Sequence, residues 1–194
     1  AMRRLMVMVM LKAIDELYGQ NIDRVKIEYS MGTGLYCTMK GSISRDEKFI
    51  SEVSAKMQEI FDADITIAKT SYPLAEAMKI FREGGMKEKE RLFKYRRTSR
   101  VNIYSIGDYK DYYHGDMAPS TGYYTPYELF LFDDGFVLQL ADIKDLSKPG
   151  PRAVQNKVFA AMKDTDSIGI KLGVETVGGL NDVICSGGFE QLRL

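Results

Sequence analysis

Residues 5–11, Leu-Met-Val-Met-Val-Met-Leu, form an unbroken apolar run, and Leu11, Ile14, Leu17 and Tyr18 then recur at spacings of three and four. That rhythm predicts a helix over 3–18. Its first half is apolar on every side, so the helix is expected deep in a core, with Gly19 ending it. Val25 to Tyr29 and Leu35 to Met39 alternate as strands, joined by a tight hairpin at Met31-Gly32-Thr33-Gly34. Ser44-Arg45-Asp46-Glu47 has the S-x-x-E form of a capping box. Phe49, Ile50, Val53, Met57, Ile60 and Phe61 follow as one face of a helix.

The second half is more broken. Ile65 to Ala68 reads as a short strand, and Ser71 with Pro73 as a helix start, the proline in the first turn. Leu74, Met78 and Phe81 face inward until Gly84-Gly85 stops the helix, and Met86 to Lys94 reads as a short, charged, exposed helix. Val101 to Ile106, Leu129 to Phe132 and Phe136 to Leu140 have strand character, the last two joined by Asp133-Asp134-Gly135. Asp142 to Pro151 reads as a linker. Ala153 to Leu172 reads as a helix with Val154, Val158, Phe159 and Met162 on one side. Gly178-Gly179 breaks the chain before a last helix from Leu180 to Ile184. The order α-β-β-α-β-α-α-β-β-β-β-α-α, with hairpins and helices grouped, points to an α+β fold: a largely antiparallel sheet packed with helices.

Composition narrows the function classes. The 194 residues include 27 basic and 27 acidic side chains, a formal net charge of zero, which argues against a chain-wide grip on nucleic acid. Cys37 and Cys185 form no C-x-x-C, and His114 is the only histidine, so the chain lacks a zinc-ligand set. Free thiols fit a reduced cytoplasm. The run at 5–11 is too short to span a bilayer, so no membrane role is expected. No G-x-x-x-x-G-K-[ST] occurs; Gly173 and Gly178 have the spacing, but Gly179 stands where lysine is needed.

Candidate chemistry concentrates in Gly107 to Gly122, GDYKDYYHGDMAPSTG, flanked by apolar runs. Asp111, His114, Asp116, Ser120 and Thr121 are its candidate pocket or binding residues. The bland alternative is that they satisfy local backbone donors. A second cluster, Lys94, Arg96, Arg97 and Arg100 around Tyr95, has the composition of a phosphate or RNA contact, or of a solvated connector.

The order of motifs resembles a known domain. Lys12 to Tyr18, Gly34-Leu35-Tyr36, Glu76 to Phe81, Val101 to Tyr104, Asp111, Gly115 and Pro119-Ser120-Thr121-Gly122 resemble the second additional domain of threonyl-tRNA synthetases, shared in outline with alanyl-tRNA synthetases. The resemblance implies an editing-domain fold over 1–141. In that family the first helix carries His-x-x-x-His, and the loop before Pro-Ser-Thr-Gly carries a cysteine and a histidine four apart. Those positions fall here on Arg4, Met8, Tyr113 and Met117. The editing site is therefore degenerate: methionine and tyrosine cannot replace imidazole and thiolate as metal ligands or proton carriers. Met8, Tyr113 and Met117 are expected to meet and close the old cleft, with Arg4 at its rim reaching Asp111 or Asp116.

Further motifs resemble the N-terminal region of bacterial nucleoside kinases of the uridine kinase and phosphoribulokinase family. They are Arg3-Arg4, Leu92 to Arg96, Gly107-Asp108-Tyr109, Met117 to Tyr123, Leu172 to Glu175, Val177-Gly178 and Leu180-Asn181. This implies that 142–194 is a linker with C-terminal helices leading to a P-loop kinase domain beyond Leu194. No cofactor is expected in this chain; ATP and Mg belong to that kinase domain, which is also the implied partner. The expected role is a non-catalytic accessory or regulatory region. The alternatives are an RNA-binding module using Lys94, Arg96, Arg97 and Arg100, and a relic aminoacyl-tRNA hydrolase remodelled around His114 and Asp116.

Overall fold

A computed structural model describes residues 1–152, 156–188 and 190 of the chain. The main elements in chain order are α1 (Met2–Tyr18), β1 (Ile22–Met31), β2 (Gly34–Gly41), α2 (Glu47–Asp62), β3 (Ile67–Pro73), α3 (Leu74–Glu83), α4 (Lys87–Phe93), β4 (Arg100–Ile106), β5 (Tyr109–Tyr112), β6 (Glu128–Phe132), β7 (Gly135–Gln139), α5 (Asn156–Lys171) and α6 (Val177–Cys185). The fold is α+β. The chain divides into two compact units, one of 1–68, 104–109 and 113–154, the other of 69–103, 110–112 and 155–194.

In the first unit a four-stranded sheet has the order β1-β2-β7-β6, and every neighbouring pair is antiparallel. Two-residue turns fix the register: Gly32 at φ 62 between β1 and β2, and Asp133 at φ 51 between β6 and β7. The register aligns Cys37 with Phe136 and Leu131 with Phe136, so alternate apolar residues form one buried face. Helices α1 and α2 supply most of the rest of this core, joined by Ile67, Tyr104, Ile106 and Ala118. Leu5 to Met10 are all buried, as an all-round apolar helix requires. The inward stripe of α2 is Phe49, Ile50, Val53, Met57, Ile60 and Phe61, and Phe49 meets Phe136 edge-on with ring centroids 5.4 Å apart. Lys12, only 7% exposed, is held by an ion pair to Glu16, which also pairs with Lys56 at 3.2 Å.

In the second unit Ala77 and Phe81 of α3, Phe93 of α4, and Val101 and Ile103 of β4 form a separate small core. The strands β3, β4 and β5 are ordered β3-β4-β5.

Several local expectations are corrected. The start of α2 is not a Ser44 capping box: Asp46 is the N-cap, its carboxylate accepting from Phe49 N at 2.9 Å, because a carboxylate three residues ahead reaches that amide directly. The strand at 65–68 begins later and runs longer, from Ile67 to Pro73, because Thr66 is already engaged in an isolated bridge to Ser120. Pro73 therefore precedes α3 rather than lying in its first turn. The loop read over 107–122 contains β5, since Gly107 at φ 59 turns the chain back immediately after β4. Helix α4 is not an exposed element, for Phe93 is fully buried. Residues 142–151 turn back on themselves rather than run as a linker: Ala141 bridges Pro149, and Gly150 N donates to Leu140 O at 2.9 Å. Gly178 and Gly179 do not break the chain; they are buried in the first turn of α6, where a Cβ on Gly178 would stand 3.1 Å from Arg91 Cγ. Val154 lies outside the described residues.

Candidate functional site

The four positions of the synthetase-like site all lie in the first unit. Arg4 and Met8 are one turn apart on α1, the i, i+4 spacing that puts both on one face. Met8 has no solvent exposure and belongs to the core cluster against which Tyr113 and Met117 also pack. Three of the four positions therefore contribute to one apolar core. A thioether has no proton to transfer and is a weak acceptor.

Arg4 is half-buried and fixed on the loop. Its Nε donates to the backbone oxygen of Asp116 at 2.9 Å, and its guanidinium lies so close to Gly115 that a Cβ there would stand 3.0 Å from Nη2. Gly115 itself has φ 88, and its carbonyl accepts from Tyr104 Oη at 2.7 Å. Arg4 thus meets Asp116 through the main chain. Asp111 is in the second unit, 1% exposed, and ion-paired with Lys89. His114 and Asp116 are exposed.

Pro119 to Gly122 works as a clamp. Thr121, fully buried, donates from Oγ1 to Ile60 O at 2.7 Å and accepts from Ile65 N at 2.8 Å. Ser120 Oγ donates to Asp64, whose same oxygen accepts from Gly122 N at 3.0 Å. Ile67 N donates to Pro119 O at 2.8 Å. These bonds tie the loop to the chain leaving α2. Asp64, at φ 44, is a residue the sequence reading missed; its signal is an aspartate just past a helix end, where the left-handed conformation suits it.

Burial, reinforced by Glu28, pushes the Cys37 thiol up to about 12, so it is a poor nucleophile at neutral pH. Burial likewise raises the Tyr127 phenol to about 12. Among the described residues, no group of three or more His, Cys, Asp or Glu side chains is arranged to hold a metal ion.

In the second unit the basic residues are heavily engaged. Arg96 lies over the rings of Phe93 and Tyr112, at 5.1 and 5.4 Å, and donates to Tyr112 Oη at 2.5 Å. Arg100 donates twice to Ser71, to Oγ at 3.0 Å and to the carbonyl at 2.7 Å. Lys94 sits 3.8 Å from Asp182, and Arg97 is exposed. Asp182 also binds Arg91 and Tyr95. No local pattern announces that convergence, because Asp182 lies 91 residues from Arg91.

No family model matches the chain. It is similar to threonine–tRNA ligases from Geobacter sp. (strain M21) and Citrifermentans bemidjiense, at 26% identity over 121 residues in each case. Each alignment covers 62% of this chain and 19% of the relative. A threonine–tRNA ligase from Legionella pneumophila is 28% identical over 81 residues, covering 41% of this chain and 13% of the relative. The chain thus spans about a fifth of the length of the first two curated relatives. These similarities support the resemblance to a synthetase domain, and the observed α+β architecture is consistent with an editing-domain-like fold.

Proposed function

We propose that this chain is a synthetase-derived domain that no longer hydrolyses aminoacyl-RNA and serves as the accessory or regulatory region of a nucleoside kinase-like protein. The observation that carries the loss of chemistry is Met8. It stands where the resemblance places the second helix histidine, it is wholly excluded from solvent, and Tyr113 and Met117 pack against the same cluster. A buried thioether at that position supports the loss of its chemistry. Arg4 supports the same reading, since its Nε is committed to the Asp116 carbonyl.

The kinase context rests on the sequence resemblance, which extends through Leu172 to Asn181. Uridine or a related nucleoside is the substrate class, with Mg-ATP bound by a P-loop domain of the same protein. Two assays test the parts separately. The chain should release no amino acid from mischarged threonine tRNA above the uncatalysed rate; turnover would restore the relic-hydrolase reading. It should also fail to phosphorylate uridine with Mg-ATP, while the gene downstream of codon 194 should encode G-x-x-x-x-G-K-[ST]. A downstream sequence without a P-loop would overturn the kinase assignment and leave the first conclusion standing.

A further inference from the structure

The zero net charge of the chain conceals a strong local imbalance. Residues 69–103, all in the second unit, carry ten basic and four acidic side chains, a net of +6. The densest part runs from Arg91 to Arg100. Arg91, Lys94 and Tyr95 converge on one carboxylate, that of Asp182 on α6: Arg91 Nε and Tyr95 Oη both donate to it, and Lys94 Nζ is 3.8 Å away. A guanidinium, an ammonium and a phenol are the donors that hold a phosphate oxygen. Helix α6 is seated by a second bond, Thr176 Oγ1 to Glu88 at 2.7 Å. Its first turn fits because Gly178 has no side chain: a Cβ would stand 3.1 Å from Arg91 Cγ and 3.2 Å from Leu92 N.

The neighbouring cations are preorganised as well. Arg96 is held between two rings, and Arg100 is anchored on Ser71. A guanidinium has five N–H donors, so each retains several after these contacts. Arg97 adds an exposed cation beside them. Guanidiniums fixed against aromatic rings suit a nucleic-acid strand better than a lipid surface, which rewards exposed apolar side chains next to the charges.

We propose that Arg91 to Arg100 is a phosphodiester-binding surface for single-stranded nucleic acid, and that α6 occupies part of it through Asp182. The tethered carboxylate competes with phosphate for Arg91 and Lys94. Removing its charge frees two cations, each adding roughly 0.7 to the slope of log affinity against log salt for a single strand. This surface is independent of the degenerate synthetase site, so either conclusion can fail without the other.

The test is fluorescence anisotropy with labelled twelve-nucleotide RNA and DNA strands, across a salt series, on the whole chain. Asp182→Asn removes the competing charge. Gly178→Val displaces α6 without changing charge, and circular dichroism melts confirm that each variant is folded. Asp182→Asn is expected to bind about tenfold more tightly than the unmodified chain at low salt, with a steeper salt slope. Adding Lys94→Ala to Asp182→Asn should cut the gain, Arg97→Ala with Arg100→Ala should lower the affinity of either form, and Gly178→Val should reproduce the gain. Unchanged affinity in Asp182→Asn, or no loss in the arginine variants, would overturn the proposal. Displacement of the strand by equimolar inorganic phosphate or uridine monophosphate, or by phosphatidylserine vesicles, would overturn the nucleic-acid assignment.

Discussion

Met8→Ala is the sharpest probe of the proposal that core packing stands in place of a synthetase-like site. The change removes Cγ, Sδ and Cε from a side chain with no solvent exposure, inside a run in which every residue from Leu5 to Met10 is buried. Truncating a fully buried methionine costs about 2–5 kcal/mol, combining lost transfer energy with the cavity left behind. The upper half of that range applies if α1 cannot shift. It is flanked by α2, and Leu5 to Met10 are buried on all sides, so collapse would have to move several packed residues at once. Alanine's better helix propensity returns only a few tenths of a kcal/mol. Met117, partly buried against the same cluster, is the internal control, with an expected loss of roughly 1–3 kcal/mol for Met117→Ala. Urea denaturation followed by circular dichroism gives the shift in midpoint, and hydrogen exchange in α1 shows whether the loss is local to this core. A Met8→Ala change below about 1 kcal/mol with an unaltered denaturant slope would refute the argument, because an open or plastic cleft loses little when a methionine is shortened.

Thr121→Val removes two buried hydrogen bonds, to Ile60 O and from Ile65 N, and should cost about 1–3 kcal/mol in a chemical melt, with Thr121→Ser restoring most of it. Asp46→Ala removes the cap on α2 and should lower stability by about 0.5–2 kcal/mol by the same measurement, whereas Ser44→Ala should change it little. Burial opposes ionisation of Glu16, but Lys12 and Lys56 outweigh it and hold its carboxyl below the ordinary carboxylate range. Its folded-state value is depressed, so the stabilisation is present above the ordinary carboxylate range and disappears as pH falls through the lower folded value. Glu16→Gln should therefore flatten the acid limb of the stability–pH curve, as read from thermal melts at stepped pH.

The sequence alone determined the elements whose signal is local. Leu5 to Leu11 is apolar without interruption, which places this stretch in a core, and Leu5 to Met10 are found there. The stripe from Phe49 to Phe61 and the two-residue turns at Gly32-Thr33 and Asp133-Asp134 belong to the same class. Each reports on residues within a turn or two of itself, and together they order the fold. The positions Arg4, Met8, Tyr113 and Met117, which the resemblance aligns with a synthetase editing site, were also legible, but only as residue types.

Tertiary structure decided what those types do. Met8 is core because it joins a buried cluster gathered from distant elements, and Arg4 is tied to Asp116 across 112 residues. Ser120 and Thr121, which as a motif suggested a binding loop, spend their hydroxyls on Asp64 and Ile60, more than fifty residues earlier. Asp111 and His114 are three residues apart in the chain, yet one is buried against Lys89 and the other is exposed. Gly178 and Gly179 look like chain breakers until Arg91 is placed against them. Contacts of this kind have no period and no fixed spacing. They arise from the meeting of elements far apart in sequence, so only the folded chain separates a carboxylate that clamps a loop from one that occupies a basic surface.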